Sequence, residues 1–397
     1  MKKTDVKTDL RWAEKTLWEL LHINAPTGHE KPVSDYVRSL LAELGVPSSS
    51  IVNDNANRHI PLPTECGNLI VDIPGSGALA KSPRRLFVAH MDTVDLAAGT
   101  IPKQKGRYIH SSPGHALGAD DRSGVAAILS MLHALLRTNV PHPPITALFT
   151  VREESGLWGA RMVDARLLKN PVFGFSFDGS ESWELDIQAP GSDRMDITVH
   201  GIASHAGGDP EKGVSAAVVA SIAIAELHKK HLHGLIKEGP SRATSNIGSM
   251  TGGVFHNIVC PEMKVVAEAR SYIPKKLNAV VAAYKKAFEN AIRKVKNVKG
   301  KRGTLDFKVE KLYHPFKLSP TAPVARLAIE AMKAAGVKGR PQPCKGGLDA
   351  NWLVRHGIPT VTLGAGIIDA HTVTERLDLE EFRKGCLIAS ALATVAG

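Results

Sequence analysis

The sequence predicts an α/β protein: a mostly parallel sheet with helices on both faces, interrupted by a small two-layer α/β lid. Three observations predict it. Short apolar strand-like runs alternate with amphipathic helical runs over the first ~185 residues, the signature of a parallel sheet. The pattern changes near Gly191 to alternating strands typical of an antiparallel sheet. After residue 318 the helix–strand alternation returns.

The elements follow in order. Residues 10–22 and 32–44 carry helical periodicity on either side of the turn NAPTGHEKP. NLIVDIPG and RRLFVAHMDTV read as strands. SGVAAILSMLHALL is an apolar helix, followed by the strands ITALFTV and FGFSFDG. Beyond Gly191, SDRMDITVHG alternates in polarity, VSAAVVASIAIAELHKK is helical, and TSNIGSMTGG and EMKVVAEARSYI are strands. A basic helix follows, with Leu277, Val281, Tyr284, Phe288, Ile292 and Val295 on one face. TLDFKVEKLY closes this run as a strand. APVARLAIEAMKAAG (helix), TVTLGAG (strand) and LDLEEFRKGCLIASALATVA (helix) complete the chain. The expected organisation is one domain of residues 1–190 and 306–397 interrupted by an inserted domain at 191–305.

Composition narrows the function classes. The chain has 397 residues, 43% hydrophobic and 22% charged, which is globular composition. It contains no apolar run long enough to span a bilayer, so no membrane partner is expected. The basic start MKKTDVKTDLRWAEKTL has no apolar core of a secretory signal. Cys66, Cys260, Cys344 and Cys386 are widely spaced, which fits a reduced, cytoplasmic setting rather than a disulfide framework. The net charge of +11 raises nucleic acid as a ligand. However, about a dozen of the cations fall between Lys275 and Lys311, a stretch that includes an amphipathic helix with a lysine-rich outer face, so a solvated face is expected instead.

Candidate functional residues stand at strand ends, where open α/β sheets collect their ligands. Glu153 and Glu154 follow ITALFTV. Adjacent side chains of an extended strand point to opposite faces, so one can hold a metal while the other handles a proton. Alone, the pair is also an ordinary polar strand end. His90 and Asp92 end RRLFVAHMDTV on one strand face, where the carboxylate can orient the imidazole. Asp120 and Asp121 precede a helix; one serves as N-cap, which leaves the second to explain. Asp178 ends FGFSF, and His371 follows the strand TVTLG. Each has an ordinary turn or loop role on its own. Together they are a mixed imidazole–carboxylate set suited to zinc, manganese or cobalt. The set exceeds one tetrahedral site, so two divalent metals sharing a carboxylate are expected. They would activate water for attack, with a free glutamate as general base.

The strings AHMDTV, LGADDRSGVAAIL, VREESGLWGA, FDG, HGIASHAGGDPEKGVSAA, NIVCPEMKVVAEARS, GGLDANWL and DAHTVTERL resemble, as an ordered set, the co-catalytic zinc peptidases. That family includes peptidase T, carboxypeptidase G and succinyl-diaminopimelate desuccinylase. The resemblance implies that His90, Asp120 and Asp178 hold one metal, and Asp120, Glu154 and His371 the other. It makes Glu153 the general base and Asp92 the group orienting His90. It places a cis peptide after the bridging acid and a basic residue, here Arg122, two positions beyond it. His205, Asn257 and Arg270 match substrate-contacting positions of the inserted domain. Cys260 stands where the family usually has proline. Aspartate at position 178 and the string HAGGDPEKGVSAA are most similar to peptidase T-like aminotripeptidases.

The expected activity is therefore removal of an amino-terminal residue from short peptides. The alternatives are a carboxypeptidase, aminoacylase or N-deacylase of the same chemistry, a non-catalytic metal-dependent binding protein, and, last, a nucleic-acid binder. The expected partners are a short peptide substrate and a second copy of the chain joined through the inserted domain.

Overall fold

The computed structural model describes residues 6–238 and 241–395, which form two compact units. One unit comprises residues 6–189 and 317–395; the other spans 190–316 apart from residues 239 and 240.

The first unit is built on a sheet whose strands lie in the spatial order Ile51–Asn53, Leu69–Ile73, Ile145–Thr150, Arg85–His90, Phe173–Gly179, Thr360–Gly364 and Glu184–Ala189. The central four run parallel. Leu69–Ile73 and Glu184–Ala189 join antiparallel on either side, so the sheet is mostly parallel, as expected. Its two faces divide the apolar residues of each strand. In Arg85–His90, Phe87 and Ala89 enter the large core, while Leu86 and Val88 enter a smaller one on the other face. A strand covered on both sides carries apolar residues on both faces, which is why these runs read as near-continuous rather than alternating. The helices Leu10–Leu21, Ala119–Thr138, Pro323–Ala334 and Leu379–Thr394 contribute to the large core. Because the central strands are parallel, their carboxyl ends share one edge, and the loops leaving them meet there.

The Glu184–Ala189 strand was not expected from the sequence, because its centre carries Asp186. That residue stands opposite Thr362 and is 6% exposed. Asp186 Oδ1 and Thr362 Oγ1 are buried without hydrogen-bond partners. Burial is the main cause that pushes the Asp186 carboxyl up to about 7, from an ordinary 3.8. The folded chain thus retains a proton that the unfolded chain releases near pH 4. Stability falls as pH rises across that window and levels off above about pH 7. Asp186→Asn is expected to stabilise the protein by about 1–3 kcal/mol at pH 8, with the gain shrinking at pH 4. Thermal denaturation at the two pH values measures this; an equal shift at both would contradict it.

The second unit is a two-layer α/β fold. Its antiparallel strands lie in the order Gly234–Glu238, Ser241–Gly252, Glu262–Ser271, Gly191–His200 and Thr304–Tyr313. The helices Ala216–Lys229 and Pro274–Lys294 cover one face. Met195, Ile197 and Val199 alternate into that core with Val265, Ala267 and Ala269, opposite Leu277, Tyr284 and Phe288. Val280 is in the core, with Val281 packed at its margin, while Lys275, Lys285 and Lys286 are exposed. The unit ends at Phe316, not at residue 305. A boundary at 305 would cut the last strand, which pairs with Gly191–His200 from Thr304 to Tyr313.

Candidate metal centre

His90 is the last residue of its strand and is 2% exposed. Its Nδ1 lies 3.0 Å from the Asp92 carbonyl oxygen and 3.3 Å from Asp92 Oδ1. A proton on Nδ1 is donated there, which turns Nε2 toward the acids. Nε2 is 3.0 Å from Asp120 Oδ1 and 4.0 Å from Asp178 Oδ1. His371, with φ of 65° in its loop, brings Nε2 to 3.2 Å from Asp120 Oδ2 and 2.8 Å from Glu154 Oε2. Asp120 thus lies between the two imidazoles, one on each carboxylate oxygen. Ligand atoms of His90, Asp120 and Glu154 fall within 4.8 Å of one another, as do those of His90, Asp121 and Asp178.

The two aspartates divide their work. Asp121 accepts from the His90 N–H at 3.2 Å through Oδ2 and from the Gly124 N–H at 3.0 Å through Oδ1. The second bond is the N-cap contact to the third helical residue. Each Asp121 oxygen thus accepts one main-chain N–H, whereas each Asp120 oxygen faces an imidazole. The Asp120–Asp121 peptide is cis. Arg122 is 1% exposed and donates to the Met91 carbonyl and, at 3.4 Å, to that of Ala25.

Glu153 and Glu154 lie beyond the strand, not in it. The strand ends at Thr150, and Arg152 adopts φ of 51°, so the chain turns before the pair. Two buried carboxylates hold this turn. Glu30 Oε1 accepts from the Arg152 N–H at 3.0 Å and from the Gly28 N–H at 2.6 Å. Asp92 accepts from Glu153 at 3.1 Å and from Glu154 at 3.2 Å. Asp92 therefore positions both glutamates as well as His90. Glu30 was not singled out in the sequence, where it is one acid in a turn; its contact lies 122 positions away. Asp349, in GGLDANWL, also escaped notice. It is 2% exposed and accepts from Thr150 Oγ1, and its Oδ1 has no partner.

The electrostatics describe a surplus of acids. Burial first, then the neighbouring Asp120 charge, pushes Glu154 up to about 7. Burial raises Glu153 well above the usual carboxylate range, and Glu154, Asp349 and Asp120 add to it against the pull of His90. Asp178 is raised by burial and by Asp120. Asp120 is held low by hydrogen bonds from His371 and His90, although burial opposes this. Hydrogen bonds to Asp120 and Glu154 push His371 up to about 11. Carboxylates crowded in this way favour added positive charge. Glu154 Oε1, buried and without a partner, is a donor atom ready for a cation. The mixed nitrogen and oxygen donors suit divalent ions.

Within the second unit, His205 and Asn257 lie on adjoining segments: His205 bridges to Ile258, and the Ala206 N–H donates to the Asn257 carbonyl at 2.9 Å. His205 Nδ1 accepts from the Gly207 and Gly208 N–H groups at 3.2 and 2.9 Å. A neutral ring there must carry its proton on Nε2. Arg270, on the Glu262–Ser271 strand, pairs with Glu268 at 3.0 Å. Cys260 donates through Sγ to the Glu262 carbonyl at 3.2 Å.

Among the described residues, no helix is long and apolar enough to cross a membrane. Residues 86–394 match the family model described as peptidase family M20/M25/M40. The Bacillus subtilis protein YqjE is 34% identical over 370 residues, covering 92% of this chain and 93% of its own. Peptidase T of Vibrio cholerae (strain El Tor Inaba N16961) is 24% identical over 407 residues, 94% of this chain and 92% of that protein. Among solved structures, aminopeptidase PepT from Bacillus cereus superposes with a TM-score of 0.82 at 32% identity, covering 98% of both chains. A tripeptidase from Staphylococcus aureus superposes at 0.87 with 29% identity, again covering 98% of both. With the family model spanning most of the sequence and the likeness running end to end, the chain belongs to peptidase family M20/M25/M40 and is a peptidase T-like hydrolase.

Proposed function

We propose that this peptidase is a di-metal aminopeptidase that removes the amino-terminal residue from short peptides, tripeptides foremost. The observation that carries this reading is the gathering of His90, Asp120, Glu154, Asp178 and His371 at one sheet edge, with Glu154 Oε1 buried and unpartnered. In this reading His90, Asp120 and Asp178 hold one divalent ion, and Asp120, Glu154 and His371 the other. Zinc is the first candidate, with cobalt and manganese as alternatives. When bound, such ions acidify water and polarise a carbonyl oxygen.

The protein's own groups do the rest. Glu153 takes a proton from water as the water oxygen bonds to the scissile carbonyl carbon. It then gives that proton to the departing amine nitrogen as the C–N bond breaks. Asp92 keeps Glu153 and His90 in place. The first unit is the catalytic domain, and His205, Asn257 and Arg270 of the inserted unit are the proposed substrate-binding residues. A His205 with its proton on Nε2 is a neutral donor suited to a carbonyl oxygen. The inserted unit is also the proposed dimerisation surface. Peptides are taken as substrates because the PepT and tripeptidase relatives carry those names.

The test is a panel of free-amino tripeptides against N-acylated amino acids, run on metal-reconstituted protein. Release of the amino-terminal residue from the tripeptides is expected. Hydrolysis of N-acyl substrates alone would instead establish the aminoacylase or deacylase alternative.

A further inference from the structure

Glu375 lies four residues after His371 on the same loop, and neither the metal ligands nor the base includes it. Its side chain is 1% exposed, and both oxygens are engaged by main-chain donors. Oε2 accepts from the Leu117 N–H at 2.8 Å and the Gly118 N–H at 2.9 Å; Oε1 accepts from the Asp120 N–H at 3.1 Å. These donors form the turn that delivers Asp120, in which Gly118 has φ of 74°.

A buried carboxylate is costly unless its hydrogen bonds are made, so its position carries information. Helix capping does not explain it. The regular helical conformation begins after Asp121, which already caps the Gly124 N–H. What Glu375 holds is the backbone of Asp120 itself, from 255 positions away. The other end of the contact is equally defined. The Glu375 N–H donates to the Thr372 carbonyl at 3.1 Å, Thr372 Oγ1 donates to the Asp369 carbonyl at 2.7 Å, and Arg376 pairs with Asp369 at 3.0 Å. The segment between Asp369 and Arg376 is a closed turn that carries His371. The Glu375 carboxylate therefore ties the backbone bearing His371 to the backbone bearing Asp120, whose side chains meet at 3.2 Å.

We infer that Glu375 is a positioning residue that fixes Asp120 relative to His371 by accepting the N–H groups of the 117–120 turn. The inference rests on the di-metal reading. Since Asp120 is the shared ligand in that reading, loosening its turn weakens both ions together.

The test is titration of zinc into metal-free full-length wild type, Glu375→Gln and Glu375→Ala. Thermal denaturation of each metal-free form and hydrogen exchange of the peptide spanning 115–122 accompany it. Glutamine keeps one accepting oxygen and turns an NH₂ group toward the remaining donor, so it relaxes the clamp without leaving a cavity. Loss of a partner outside the ligand set typically costs 10–100-fold in metal affinity. The glutamine variant is expected about 10-fold weaker and the alanine variant about 100-fold weaker, at both sites in step, with faster exchange over 115–122. If the alanine variant does not fold, the glutamine variant decides alone. A glutamine variant that binds zinc like wild type, whatever its melting temperature, overturns the inference and leaves the di-metal reading standing. A wild type that takes up no zinc overturns both.

Discussion

Glu153→Gln is expected to keep its bound divalent ions and to lose turnover by about 10²–10⁴-fold, the usual contribution of a positioned proton carrier. Glutamine preserves the shape of the side chain, and the main-chain bond from residue 153 to Asp92 does not involve the substituted group. Only the capacity to take and return a proton is removed. Glu153 is 8% exposed, so bulk solvent has little access to take over its role. Elemental analysis and kcat/KM on the same preparation separate the two roles. Metal loss in parallel with activity would make Glu153 a ligand. Unchanged turnover with metal retained would sink the general-base role.

Asp120→Asn is expected to lose both ions and, with them, measurable turnover. Each Asp120 oxygen faces a different histidine, His90 at 3.0 Å and His371 at 3.2 Å. The amide replaces one accepting oxygen by a donor and removes the charge that the two imidazoles share. The loss in zinc affinity should exceed the 10–100-fold that follows removal of a partner outside the ligand set. Heat provides a second readout. An ion at about 100 times its dissociation constant stabilises the folded state by about 2.7 kcal/mol. Wild type should therefore melt higher with zinc, while Asp120→Asn should not. A variant that still gains the wild-type shift would show that the ions do not depend on this carboxylate, and the bridging assignment would fall.

How far the sequence led can be followed residue by residue. The apolar runs around Phe87, Leu148 and Phe175 marked central strands, because a strand buried on both faces needs apolar residues on both. The candidate ligands were legible as histidines and acids at strand ends, since a parallel sheet brings those ends to one edge. The strand with Asp186 was missed because a buried, half-satisfied acid breaks the apolar pattern that marks a strand. TLDFKVEKLY reads as the strand closing the inserted run, yet the expected boundary fell at 305; its pairing with Gly191–His200 places the whole strand in the inserted unit. The division of labour proposed for Glu153 and Glu154 cannot rest on strand alternation, because both stand beyond the strand, after Arg152 at positive φ.

By itself, the sequence determined the fold class, the kinds of donor atom available and the order in which they come along the chain. Those properties are written in hydrophobic period and residue type, which are local. The tertiary structure decided that Asp121 accepts main-chain N–H groups while Asp120 faces the two imidazoles, since only folding brings the His90 N–H to Asp121. It also decided that Glu30, Asp92 and Glu375 hold the turns on which the candidate ligands and base stand. Those contacts join main-chain N–H groups to carboxylates far away in sequence. A backbone donor has the same chemistry at every residue but proline, so nothing in the local sequence announces where its acceptor will come from.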